Sequence, residues 1–188
     1  MALKHSLKRF RKKAHLDYWL PLIFFAFMAA LFMKTYLIVP LQIEGNSMQP
    51  TLYSKEEALV MNFGKIHRFD VVTIKMPDGQ TYIKRVIGMP GDELEYRNDQ
   101  LYINGKVREE KFLRSILKGK HSPYTSDFKL KELIGTSRVP ANEYFVLGDN
   151  RKISKDSRTF GPVKDNWIKG KAIIIYWPIN RLRRIGHN

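Results

Sequence analysis

No cysteine occurs among the 188 residues. Its absence excludes disulfides, thiol catalysis, Cys-ligated zinc and a lipidated cysteine of the lipoprotein type. The compartment stays open, because an exported domain can do without disulfides. Acidic side chains are few, 18 against 33 lysines and arginines, giving a formal net charge of +15. The five histidines form no HExxH or comparable spacing, so no metal site is expected. Internal repeats and low-complexity tracts are also missing, and the composition is that of an ordinary globular protein. The length suits a membrane anchor plus one compact domain of roughly 150 residues.

The charge is unevenly placed. Residues 1–15 carry Lys4, Lys8, Arg9, Arg11, Lys12 and Lys13 and no acid, a run that fits either nucleic acid or the flank of a membrane segment. The residues that follow favour the membrane. Residues 18–39 read YWLPLIFFAFMAALFMKTYLIV, and as a helix they span about 33 Å, enough for the hydrocarbon core. Tyr18 and Trp19 mark one edge and Tyr36 the other, as interfacial aromatics do. Lys34, near the end, can snorkel to the headgroups, and Pro21 falls in the first turn, where a missing N–H costs little. The run exceeds a typical signal-peptide h-region and no A-x-A-like pair closes it, so a retained anchor is expected. The positive-inside rule then puts residues 1–17 in the cytoplasm and residues 40–188 outside a single-pass plasma-membrane helix. A nucleic-acid partner is disfavoured, because the basic run abuts that helix. The remaining +9 suits anionic headgroups or an anionic wall, or plain solvation.

Beyond the anchor the pattern predicts strands over 37–43, 58–62, 70–75, 81–87, 93–97, 101–103, 144–147 and 172–177. Asn104-Gly105 is a two-residue hairpin signal and Pro77-Asp78-Gly79 a turn. Residues 108–139 are polar, with one short helical stretch at 110–117, and read as an insertion. The expected fold is mostly β: one N-terminal transmembrane helix, then an antiparallel β-sheet catalytic domain with a small insertion.

Three places carry chemistry. Ser47 lies in Gly45-Asn46-Ser47-Met48-Gln49-Pro50, where Gly45 permits unusual backbone angles and Pro50 fixes φ. A serine nucleophile needs a base. His5 and His15 fall on the cytoplasmic side, His187 in the tail, and His67 and His121 in no motif. Lys84, in Ile83-Lys84-Arg85-Val86-Ile87, is the better candidate. Alternation points Lys84 and Val86 to one face and Ile83, Arg85 and Ile87 to the other. An ordinary lysine is protonated at neutral pH, so a base at this position must be desolvated, held by hydroxyls and kept away from carboxylates. The third place runs from Gly148-Asp149-Asn150-Arg151 to Arg158. There Ser154 can meet the lysine amine, and Asp149, Asp156 and Arg158 can build an ion-pair frame.

These boxes, SMQPTL at 47–52, RFDVV at 68–72, YIKRVIGMPGD at 82–92 and GDNRKISKDSRTFGPV at 148–163, follow a membrane-length run in order. The chain resembles the bacterial type I signal peptidases, membrane-bound Ser/Lys proteases, and is similar to their Gram-positive members. The resemblance implies removal of signal peptides from preproteins emerging from the export machinery, without a cofactor. It implies Ser47 as nucleophile, Lys84 as general base, Ser154 as the hydroxyl that orients the lysine, and Asp156–Arg158 as a structural pair supported by Asp149. Ile43 and Ile83 match positions lining pockets for small residues at −1 and −3, and Arg68 and Asp70 a structural motif. One departure stands out: where some members carry a hydroxyl two residues before the nucleophile, this chain has Gly45, so another oxyanion donor is expected. The reading from a different class is a non-catalytic, membrane-anchored β-domain that binds wall polymer or secreted proteins.

Overall fold

The computed structural model describes residues 18–31, 38–118 and 123–186. Two compact units divide at Val39 and Pro40. In the first, residues 18–31 form a helix, α1, with every side chain exposed. Fourteen helical residues rise about 21 Å. Among the described residues no helix is long and apolar enough to cross a membrane. The basic segment 1–17 and the anchor's residues 32–37 lie outside the described residues. The expected anchor also ran too far, since Ile38 and Val39 already belong to a strand. Their β-branched side chains fit a pleated backbone better than a helix.

The second unit is built on two antiparallel sheets. The larger contains β1 (Ile38–Gln42), β2 (Glu57–Met61), β3 (Val71–Lys75), β4 (Thr81–Gly88), β9 (Glu143–Leu147), β10 (Val163–Lys164) and β11 (Ile168–Trp177), in the order β1-β2-β11-β3-β4-β9-β10; β12 (Arg183–Arg184) also pairs with β11. The smaller has the order β7-β6-β5-β8, from β5 (Leu94–Arg97), β6 (Gln100–Ile103), β7 (Lys106–Arg108) and β8 (Phe128–Lys129). Asn104 and Gly105, both at positive φ, turn β6 into β7, as a two-residue hairpin requires. The expected insertion thus contributes β8 and two short helices, α2 (Arg114–Leu117) and α3 (Leu130–Ile134). Its sheet also recruits β5 to β7 from before residue 108.

Strand β4 lies inside the large sheet, flanked by β3 and β9 in registers that set Lys84 opposite Val72 and Arg85 opposite Leu147. From Lys84 to Gly88 every residue is buried, so both faces of this strand are covered. One apolar cluster joins Ile87, Phe145 and Leu147 of the large sheet to Leu94, Tyr96 and Phe128 of the small one. A second gathers Ile43, Met48, Leu52, Val71 and Ile175, with Ile83 packed against it. Burying Met48 and Leu52 fixes the turn between β1 and β2, and that turn holds Ser47.

Candidate active site

Ser47 stands in the turn after β1. Gly45 opens it at φ +78°, a conformation glycine adopts without a Cβ penalty. The N–H of Gln49 donates to Asn46 O at 3.2 Å and that of Leu52 to Met48 O at 3.0 Å. The buried side chains of Met48 and Leu52, 2% and 0% exposed, pin the turn from below. Lys84 reaches it from mid-sheet. Its Nζ lies 2.7 Å from Ser47 Oγ and donates to Ile83 O at 3.0 Å, while the side chain is only 2% exposed. The Tyr82 ring centroid is 5.5 Å from the amine.

Burial lowers the Lys84 pKa from its ordinary 10.5 to about 8, against the opposing pull of Asp156 and then Asp149. Both carboxylates are already held by arginines. Asp156 receives Arg158 Nε at 2.9 Å and Nη2 at 2.8 Å, and the Gly148 N–H at 3.0 Å. Asp149 receives Arg85 Nε at 2.9 Å and Nη2 at 2.7 Å, with both side chains wholly buried. Paired in this way, they raise the lysine pKa less than bare carboxylates would.

The frame differs from expectation in one respect. Asp149 does not join the Asp156–Arg158 pair; it makes a separate pair with Arg85, and Thr51 Oγ1 donates to the same carboxylate. Arg85 further donates to Phe69 O at 2.8 Å and Gly186 O at 3.2 Å, and its guanidinium lies 3.9 Å from the Phe112 ring centroid. A buried arginine needs several acceptors and a carboxylate, and here the neighbour of the lysine collects them.

Ser154 packs against Gly148 near the Ser47 turn and makes no hydrogen bond to the dyad, contrary to the expected contact with the lysine amine. Its Oγ is buried and meets no partner among the described residues, while Lys84 Nζ is engaged by Ser47 Oγ and Ile83 O. Gly148 explains the crowding. A Cβ there would come within 2.1 Å of Ser154 Oγ and 2.5 Å of Ser47 O, so only glycine lets the third cluster close onto the nucleophile's turn. Ile43, expected to line a pocket, is 2% exposed and belongs to the core; Ile83, partly buried against the same cluster, retains accessible surface. Arg68 pairs with Asp92 at 2.8 Å and donates to Ile87 O, and Asp70 accepts from the His67 N–H at 2.8 Å, both scaffolding contacts. The His67 side chain is mostly exposed, with Nδ1 3.7 Å from Asp70. His121 lies outside the described residues. Among the described residues no cluster of His, Asp and Glu is placed to hold a metal ion.

Several residues unmarked in the sequence complete the site. Arg151 donates to Gly148 O at 3.0 Å, to Tyr96 Oη at 2.6 Å and to Glu110, fastening the third cluster to the small sheet. Tyr124 Oη donates to Asp149 O at 3.0 Å. Asn150 N–H donates to Ser47 O at 3.0 Å. The signal for Arg85, Asn150 and Arg151 was their place inside the boxes, next to residues already singled out.

Chemically, this is a serine hydroxyl on a buried amine in a turn with free main-chain N–H groups. The family model for signal peptidase, peptidase S26, matches residues 16–177. Signal peptidase I V of Bacillus subtilis is 47% identical over 148 residues, covering 75% of this chain and 87% of its own length. Signal peptidase IB of Staphylococcus aureus is 37% identical over 180 residues, 91% of this chain and 94% of its own. A crystal structure of a signal peptidase I from Enterococcus faecalis, 45% identical, matches with a TM-score of 0.54 over 57% of this chain and 97% of that one.

Proposed function

The chain belongs to the signal peptidase family, peptidase S26, and from that premise we propose that it removes signal peptides from exported preproteins with Ser47 as nucleophile and Lys84 as general base. The observation that carries this reading is the 2.7 Å approach of Lys84 Nζ to Ser47 Oγ by an amine buried enough to titrate near 8. Neutral Lys84 takes the hydroxyl proton as Oγ attacks the scissile carbonyl. The ammonium then protonates the departing amine, the mature protein's new N-terminus. Water, giving its proton to the same lysine, hydrolyses the acyl-enzyme. In this reading Ser154 is the hydroxyl that orients the lysine, Asp156–Arg158 and Asp149–Arg85 hold the loop, and Ile83, backed by Ile43 of the same apolar cluster, favours a small substrate side chain.

The same proposal keeps the anchor in the apolar run that begins at Tyr18 and ends before β1, with residues 1–17 cytoplasmic and the chain from Ile38 onward extracytoplasmic. Supporting it are the fourteen exposed, uncharged side chains of α1 and the six cations upstream. Ser47 lies nine positions after Ile38, the first residue of β1, at most about 32 Å of chain, so the nucleophile works close to the bilayer surface, where a cleavage site emerges.

The test uses detergent-purified full chain with a signal-peptide-bearing precursor. Wild type is expected to cleave after a small residue, as read by sequencing the product N-terminus. Ser47→Ala and Lys84→Ala are each expected to lose at least about 10³-fold in rate, as other enzymes do when a nucleophile or its base is removed. Cleavage surviving in Lys84→Ala would transfer the base role elsewhere.

A further inference from the structure

The nucleophile's turn keeps two main-chain donors free, and a single residue fixes both. A peptide unit is planar and trans, so each C=O points opposite to the N–H of the next residue. Asn46 O and Ser47 N–H share one such plane; Ser47 O and Met48 N–H share the next. Asn150 holds both carbonyls: its side-chain Nδ2 donates to Asn46 O at 3.3 Å and its backbone N–H to Ser47 O at 3.0 Å. The amide cannot be reversed, because Asn46 O only accepts and must face the NH₂ end. The other end, Oδ1, lies 3.4 Å from Tyr124 Oη. Gln49 N–H adds a second donor to Asn46 O at 3.2 Å.

On the far side of these planes, neither the Ser47 N–H nor the Met48 N–H meets an acceptor among the described residues. Two adjacent donors without acceptors, beside a nucleophilic oxygen, suit the negative oxygen of a tetrahedral intermediate. Donation into Asn46 O also polarises its peptide, which strengthens the Ser47 N–H as a donor.

We propose that Asn150 is the positioning residue of an all-main-chain oxyanion site formed by the N–H groups of Ser47 and Met48, replacing the side-chain donor that Gly45 cannot supply. The proposal rests on the reading of Ser47 as nucleophile. Asn150 touches no reacting atom; it sets the direction of the groups that do. Gly148 makes the arrangement possible, because a Cβ there would lie 2.5 Å from Ser47 O and push the loop carrying Asn150 away.

The experiment compares full-chain wild type, Asn150→Ala and Asn150→Asp in detergent. It measures kcat and KM on a precursor, the pH profile, and inhibition by a peptide aldehyde, which forms a hemiacetal on Ser47 Oγ and loads the oxyanion site. Removal of one oxyanion donor costs about 10²–10³ in kcat. Misaimed but present donors are expected to cost Asn150→Ala about 10- to 100-fold in kcat, with KM unchanged, aldehyde inhibition weakened by a similar factor, and the pH midpoint unmoved. Asn150→Asp keeps the shape but turns an acceptor toward Asn46 O, so its loss should be at least as large. Should Asn150→Ala fail to fold, Asn150→Ser, which like alanine keeps the backbone N–H and loses the amide, carries the same expectations. Wild-type kcat in these variants would overturn the proposal, as would a loss of kcat with aldehyde affinity intact. An active Ser47→Ala would instead remove the nucleophile reading beneath it.

Discussion

With its amine titrating near 8, Lys84 is neutral in roughly one molecule in ten at pH 7. The turnover rate should therefore climb with pH through a midpoint near 8 and level off above it. A precursor-cleavage pH profile checks this, and a midpoint near 6.5 would indicate a histidine. The same lysine weakens the fold. Its pKa is lower folded than unfolded, so protonation favours the unfolded chain. The cost is complete below pH 8 and is relieved as pH rises from there toward 10.5. It amounts to about 3 kcal/mol at pH 7. Lys84→Met should accordingly be inactive yet more stable than wild type at pH 7, by about 1–3 kcal/mol after its lost hydrogen bonds are discounted. The gain should shrink toward pH 10 in urea titrations. Ser47 and Lys84 were legible because each sits in a distinctive local pattern. The partner of Asp149 was not. A carboxylate can choose any cation the fold brings near, and the fold brought Arg85, 64 positions away.

Among the elements, β4 and the 148–158 loop carry the arrangement. The Arg85–Asp149 pair sits at 0% exposure on both sides, where breaking a pair is costly because a bare charge stays behind. Asp149→Asn should therefore lose about 3–5 kcal/mol of stability, measured as a lowered urea midpoint, and some activity with it. Short β-branched or aromatic runs bounded by turn residues revealed β2, β3, β4 and β9. Strand β11 was only half visible. After Ile168 come Lys169, Gly170 and Lys171, which are polar or lack a side chain, and register shifts interrupt its pairing with both β2 and β3. The short β8, β10 and β12 are two residues each, too brief for any period to show. Which sheet β5 and β6 would join was also hidden, since a hairpin pattern does not say what its apolar face packs against.

For the molecule as a whole, the two proposed environments make a simple separation test. Membranes carrying the full chain should retain it through alkaline carbonate washing, whereas a chain lacking residues 1–39 should be released. Release of the full chain would remove the anchor from the proposal. The apolar run, its basic flank and β1, expected over 37–43 and found at Ile38–Gln42, were plain in the sequence; the end of the anchor was not, because the apolar pattern runs unbroken from the helix into the strand. Within residues 40–188 both sheets contribute to one apolar cluster, and Arg151 bolts the loop behind Ser47 to Tyr96 and Glu110 of the smaller lobe. Heat therefore has no way to loosen the catalytic loop alone: loss of proteolytic activity and loss of secondary structure should share one transition, with a single calorimetric peak for this unit.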